Sequence, residues 1–117
     1  MFDFSNQVVV VTGAAGAVGQ TTVAGFVAAG ARVAAVDHAA DRLAALWDGN
    51  DRVLQLSTDL TSPESVQAMA DSIAAELGPV DVLVNVAGGF RMGPLLHETD
   101  IEDWDFMFDL NARSVFL

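Results

Sequence analysis

Cysteine, tyrosine and lysine are all missing from these 117 residues. Without cysteine there is no disulfide and no thiolate metal site, and thiols say nothing of the redox compartment. Without tyrosine and lysine, two side chains on which proton-transfer chemistry is often built are gone. Positive charge is scarce as well. The five basic residues are Arg32, Arg42, Arg52, Arg91 and Arg113, against 16 acidic ones, for a net charge of -11. A surface of that sign repels nucleic acid and anionic membranes, so neither is expected as a partner. Charge of either sign is absent from Phe4 to Ala31. A transmembrane helix needs roughly 20 mostly apolar residues, but this stretch holds Gly13, Gly16, Gly19, Gly25 and Gly30 with Thr12, Gln20, Thr21 and Thr22. A strand, a turn and a buried helix account for it better. Nor does it read as a secretory signal, because Asp3 stands where a basic start belongs. The expectation is a soluble, cytoplasmic protein.

What is present suits a core. Hydrophobic residues make up 52% of the chain, and the length allows one domain at most. Val8 to Val11 is a continuous β-branched run, as in a strand buried on both faces of a parallel sheet. Ala17 to Ala29 is alanine-rich and stops before Gly30, a natural helix end. Arg32 to Val36 reads as a second strand, Asp41 to Trp47 as a short helix closed by the turn at 48–51, and Val53 to Leu56 as a third strand. Thr61 and Glu64 match a capping box, with Pro63 at the first helical position, for a helix reaching Leu77 before Gly78-Pro79. Val82 to Val86 is the fourth strand. Thr99 and Glu102 match another capping box, and Trp104 to Leu117 is helical in pattern. The alternation β-α-β-α-β-α-β-α implies parallel strands, right-handed crossovers and helices on both faces, with strand order 3-2-1-4. The final helix is expected to have been cut, because Ser114-Val115-Phe116-Leu117 is apolar and lacks a stop signal.

Thr12-Gly13-Ala14-Ala15-Gly16-Ala17-Val18-Gly19 lies between the first strand and the first helix. A phosphate cradle belongs there. Glycines allow a tight turn and close approach of backbone N–H groups to a pyrophosphate, and the helix N-terminus adds favourable partial charge. Asp37 ends the second strand, 18 residues after Gly19. A carboxylate at that distance can accept hydrogen bonds from the adenosine ribose and would repel a 2′-phosphate. His38 follows it rather than an arginine. The reading is NAD in preference to NADP, with Arg32 and Arg42 near enough in sequence to keep NADP as an alternative.

These residues resemble the short-chain dehydrogenases/reductases. The glycine loop is one match. Asp59-Leu60 after the third strand is another; in the family an aspartate there meets the adenine. Asn85-Val86-Ala87-Gly88 is similar to the family's Asn-Asn-Ala-Gly signature, with Val86 in place of the second asparagine. Glu102-Asp103-Trp104 followed by Asn111 looks like the helix that bears the family's structural and catalytic asparagine, which distorts that helix. The loop spacing Thr-Gly-x-x-Gly-x-x-Gly is that of the extended branch, whereas the later motifs look like the ordinary branch. The resemblance implies a Rossmann-like, doubly wound α/β fold truncated after about four strands and four helices. Residues 1–117 would form a partial NAD(P)-binding domain without the family's C-terminal catalytic half.

The resemblance assigns Gly13, Ala15, Gly16, Val18, Gly19, Asp37, Asp59, Leu60, Asn85, Ala87 and Gly88 to cofactor binding. Asn111 takes a catalytic position in name only. In the family the chemistry needs a serine, then a tyrosine and a lysine four residues apart, and this chain has neither tyrosine nor lysine. Ser114 is not the family's catalytic serine, which lies on the following strand. The expectation is an NAD-dependent oxidoreductase fragment related to enzymes acting on an alcohol or carbonyl, inactive alone. The rival is a stand-alone dinucleotide-binding or self-assembling module without turnover. A third possibility is a second protein that supplies the missing half. Homo-oligomers are expected through the raw edge strand or the last helix. The acidic group His97, Glu98, Asp100, Glu102 and Asp103 reads as solvated helix-start residues favoured by the helix dipole, with no metal site.

Overall fold

The computed structural model describes residues 2–117. Its centre is the valine run. Four β-branched residues in a row suit a strand only when both faces are covered, and Val8–Thr12 forms β1 with every residue buried. Alternate side chains serve two cores. Val9 and Val11 join Val23, Val33, Ala35 and Leu43 on one face of the sheet, whereas Val8 and Val10 join Ala34, Val36 and Ile73 on the other.

The remaining strands are β2 (Arg32–Asp37), β3 (Val53–Ser57) and β4 (Val82–Val84), all parallel, in the order β3-β2-β1-β4. Register sets Val9 against Val33 on one side and against Val82 on the other. The chain therefore winds outward from β1 in both directions, and the switch point lies between β1 and β4. The strand order is the one expected from the sequence. β4 is shorter than the expected 82–86, because the N–H groups of Val86 and Ala87 bond to the Thr12 hydroxyl at 3.1 Å rather than to a ladder. Its other end is fixed too. The Asp81 carboxylate accepts the Val8 N–H at 2.8 Å.

Three helices cover the sheet. α1 (Ala17–Ala28) and α2 (Ala40–Trp47) bring Val23 and Leu43 to the first core. α3 (Pro63–Glu76) brings Ile73 to the second. α1 stops as expected before Gly30, where the N–H groups of Gly30 and Ala31 reach back to Val27 and Phe26. Pro63 does take the first position of α3, but the capping residue is Ser62, not Thr61: the Ser62 hydroxyl accepts the Ser65 N–H at 3.2 Å. Thr61 is drawn away by Asp59, which accepts both its hydroxyl and its N–H.

The last helix begins earlier than Trp104. A short 3-10 turn, Leu96–Glu98, leads into α4 (Ile101–Phe108), capped by Asp100 instead of Thr99. The Asp100 carboxylate accepts the Asp103 N–H at 3.0 Å, while the Thr99 hydroxyl turns back to the Leu95 carbonyl. A π turn, Asp109–Arg113, interrupts the helix before a final turn, α5 (Ser114–Phe116). Trp104 and Phe108, one turn apart on α4, share a face that stays open. The two residues are 54% and 52% exposed, and among the described residues nothing from 101 onward enters either core. The resulting shape is long, 50 × 28 × 26 Å. No helix among the described residues is long and apolar enough to cross a membrane.

Candidate functional site

Parallel strands end on one side of the sheet, so the segments that follow them are neighbours whatever their separation in sequence. The glycine loop follows β1, Asp37 closes β2, Asp59 follows β3 and Asn85 follows β4.

Two of the loop's glycines are required by the protein's own packing. Gly13 has φ +65°, and a Cβ on it would lie 2.8 Å from the Ala87 nitrogen. The same atom on Gly19 would lie 1.9 Å from the Gly13 carbonyl oxygen. The loop is thus folded on itself and pressed against 86–87. Gly16 differs. It precedes α1 with extended backbone, φ -80° and ψ 168°, and its missing Cβ would meet only the Gly13 oxygen, at 3.4 Å. No side chain caps α1. Among the described residues the N–H groups of Ala17, Val18 and Gly19 have no acceptor. Three free donors on a helix start, beside a residue without a side chain, suit an anionic group such as a pyrophosphate. Ala15 is buried behind them and Val18 is exposed on the first turn.

Asp37 is tied to this loop. It is 9% exposed, and its carboxylate accepts the Ala15 N–H through Oδ2 and the Ala39 N–H through Oδ1, each at 3.0 Å. A carboxylate has roughly four acceptor positions, so two remain for ribose hydroxyls. His38 is exposed, and its Nδ1 lies 3.3 Å from Asp37 Oδ1. The site residues therefore fit a dinucleotide at both the phosphate and ribose positions.

Asp59 is exposed at the start of the β3–α3 connection. Both donors of Thr61, hydroxyl and then N–H, hold its carboxyl below the usual carboxylate range. Its own N–H is fixed by the Ser65 hydroxyl at 2.9 Å. Leu60, next in the chain, packs against the core on the α3 side of the sheet. Asn85 is exposed at the end of β4, and Ala87 sits against Gly13.

Asn111 lies in the π turn, where its amide spans to the loop after β4. Oδ1 accepts the Gly89 N–H at 3.0 Å, and Nδ2 donates to the carbonyls of Gly89 and Met107 at 2.9 and 2.8 Å. Gly88 leaves room for it, since a Cβ there would come within 2.8 Å of Asn111 Oδ1. The amide thus clamps the 88–89 backbone onto the helix. Arg91 is committed nearby: it pairs with Asp103 at 2.8 Å and stacks 3.6 Å above the Phe106 ring.

Sequence reasoning missed the Thr12 hydroxyl, the Asp81 anchor and the Ser65 contact. A threonine ending a valine run looks like one more strand residue, and nothing in its spacing marks a hydroxyl that serves two N–H groups across 74 and 75 residues.

The model of the short chain dehydrogenase family matches residues 7–117. D-threitol dehydrogenase of Mycolicibacterium smegmatis is 39% identical over 99% of this chain and 46% of its own length. Cis-4-hydroxycyclohexanecarboxylate dehydrogenase of Sinomonas cyclohexanicum is 40% identical over 97% and 47%. Among solved structures, a 3-ketoacyl-(acyl-carrier-protein) reductase from Brucella melitensis complexed with NADH superposes with a TM-score of 0.90 at 25% identity, covering 98% of this chain and 48% of that one. The chain spans about half the length of the relatives it matches.

Proposed function

Since this chain belongs to the short-chain dehydrogenase family, we propose that residues 1–117 form the dinucleotide-binding part of an oxidoreductase that prefers NAD to NADP. The observation that bears most weight is Asp37: a buried carboxylate fixed to the glycine loop, with acceptor positions to spare. The N–H groups of Ala17, Val18 and Gly19 receive the pyrophosphate over Gly16, and Gly13 and Gly19 hold the loop closed beneath it. Asp37 takes the ribose hydroxyls and disfavours a 2′-phosphate. Asp59 and Leu60 border the adenine, with Ala15 and Val18 at the loop's rim. Asn85, Ala87 and Gly88 form the floor.

Bound nicotinamide supplies hydride exchange with an alcohol or carbonyl carbon. Asn111 acts here as a positioning residue that fixes the 88–89 backbone. No tyrosine or lysine is present to move the accompanying proton, so these 117 residues are expected to bind without turning over. Titration with NAD⁺, NADP⁺ and ADP-ribose tests the assignment. Saturable binding of NAD⁺ and ADP-ribose, with NADP⁺ weaker, is expected; equal affinity for NADP⁺ contradicts the NAD preference.

A second reading rests on the exposed Trp104, Phe108 and Val115 and on the open edge of β4. Two copies of this chain are expected to associate through these surfaces. Light scattering that gives a monodisperse monomer contradicts it.

A further inference from the structure

We infer that Arg91 is a positioning residue for the nicotinamide half of the dinucleotide: its guanidinium latches the segment after β4 onto α4, so that the 88–89 backbone keeps one place. The inference rests on the dinucleotide reading above and deepens it. With the adenosine ribose at Asp37 on β2 and the pyrophosphate at the start of α1, the rest of the molecule runs to the other side of β1, where β4 lies. There it meets the chain that leaves β4 through Ala87, which packs against Gly13.

That chain continues as Gly88-Gly89-Phe90-Arg91-Met92-Gly93, with neither strand nor helix of its own. Glycines leave such a segment many conformations, so its place is set by what it is tied to. The ties lie along one stripe of α4 and the π turn. Asn111 takes the N–H and the carbonyl of Gly89. One turn earlier, Met107 Sδ accepts the Arg91 N–H at 3.3 Å. One turn earlier again, Asp103 pairs with the Arg91 guanidinium at 2.8 Å, and the same group lies 3.6 Å from the centre of the Phe106 ring. A planar guanidinium can stack on a ring while its edge meets a carboxylate. Arg91 is thus the outermost tie, and Gly88 and Gly89 are the backbone it steadies. The Arg91 and Asp103 side chains are 50% and 32% exposed, where one ion pair adds little to stability. Nothing from 101 onward enters either core, so loss of the latch spares the fold and frees the segment.

The test compares the affinity of NAD⁺ with that of ADP-ribose, which lacks the nicotinamide. It is measured on the wild-type chain, Arg91→Ala and Asp103→Asn, each checked by circular dichroism. Wild type is expected to bind NAD⁺ more tightly than ADP-ribose. Each variant is expected to weaken NAD⁺ about fivefold and to keep ADP-ribose within about twofold of wild type. Nicotinamide in NAD⁺ is cationic. Arg91→Ala removes a positive charge and Asp103→Asn a negative one, so by charge alone they shift NAD⁺ in opposite directions. Weakening in both marks lost positioning. Opposite shifts, an equal loss for both ligands, or no change overturns the inference while NAD⁺ binding stands. Equal affinity for NAD⁺ and ADP-ribose in wild type also overturns it, because the nicotinamide then has no fixed floor to lose. Absence of binding of either ligand to wild type overturns the dinucleotide reading itself, and the inference with it.

Discussion

The carboxylate of Asp37 accepts the N–H of Ala15 at 3.0 Å, across 22 positions of sequence, so the last residue of β2 holds the loop that follows β1. The contact is buried, and Asp37 also receives the Ala39 N–H. Asp37→Ala leaves both donors without a partner. An unfolding free energy lower by about 1–3 kcal/mol is expected, read as a lower urea midpoint with unchanged slope. A midpoint equal to wild type shows that the bond does not stabilise the loop.

The loop's glycines divide into two kinds. Gly13→Ala and Gly19→Ala drive a methyl group into the backbone of Ala87 and of Gly13. Each is expected to cost about 3 kcal/mol or more, visible as lost cooperative melting. Gly16→Ala meets only one atom, at 3.4 Å, so its stability is expected within about 0.5 kcal/mol of wild type. Its methyl group stands beside the free N–H groups of α1, and NAD⁺ affinity is expected to drop about tenfold or more. Unchanged affinity in a normally folded Gly16→Ala chain contradicts the placement of the pyrophosphate.

Much of this was legible in the sequence. An uninterrupted valine run, a glycine loop and alternating apolar and amphipathic segments are local signals, and they gave the strand order and the positions of Gly13, Gly19 and Asp37. What was not legible depends on contacts between distant segments. Val86 reads as strand by composition, yet Thr12 takes its N–H out of the ladder. Thr61 and Thr99 fit capping boxes, but Ser62 and Asp100 lie one residue nearer the helices and take the role. The Trp104–Phe108 face has core-like spacing, but among the described residues nothing covers it. Helical periodicity identifies an apolar face; it does not say what lies opposite.

The Thr12 hydroxyl joins β1 to the segment after β4 through two N–H groups. Thr12→Val preserves shape and removes the acceptor. A loss of about 2 kcal/mol is expected, with faster hydrogen exchange confined to the amides of Val86, Ala87 and their neighbours. Thr12→Ser is expected to recover most of it. Uniform acceleration of exchange across the sheet indicates a general loss of stability instead.

Asp59 supplies a pH dependence of known sign. Its folded-state pKa is lowered by the Thr61 hydroxyl and N–H, so its contribution is present above the ordinary carboxylate range and is lost as pH falls through the lowered value. Thr61→Val removes the hydroxyl. A carbon-detected titration of the Asp59 carboxyl is expected to move upward toward the ordinary value in that variant. No movement shows that the Thr61 hydroxyl does not hold the carboxylate.

The most direct measurement is calorimetric titration of the 117-residue chain with NAD⁺, beside an Asp37→Ala variant whose fold is checked by circular dichroism. One-site saturable binding is predicted for the wild-type chain, weakened about tenfold or more in the variant. Absence of binding up to about millimolar NAD⁺ would contradict the account, leaving the glycine loop and its Asp37 anchor as devices of the fold alone.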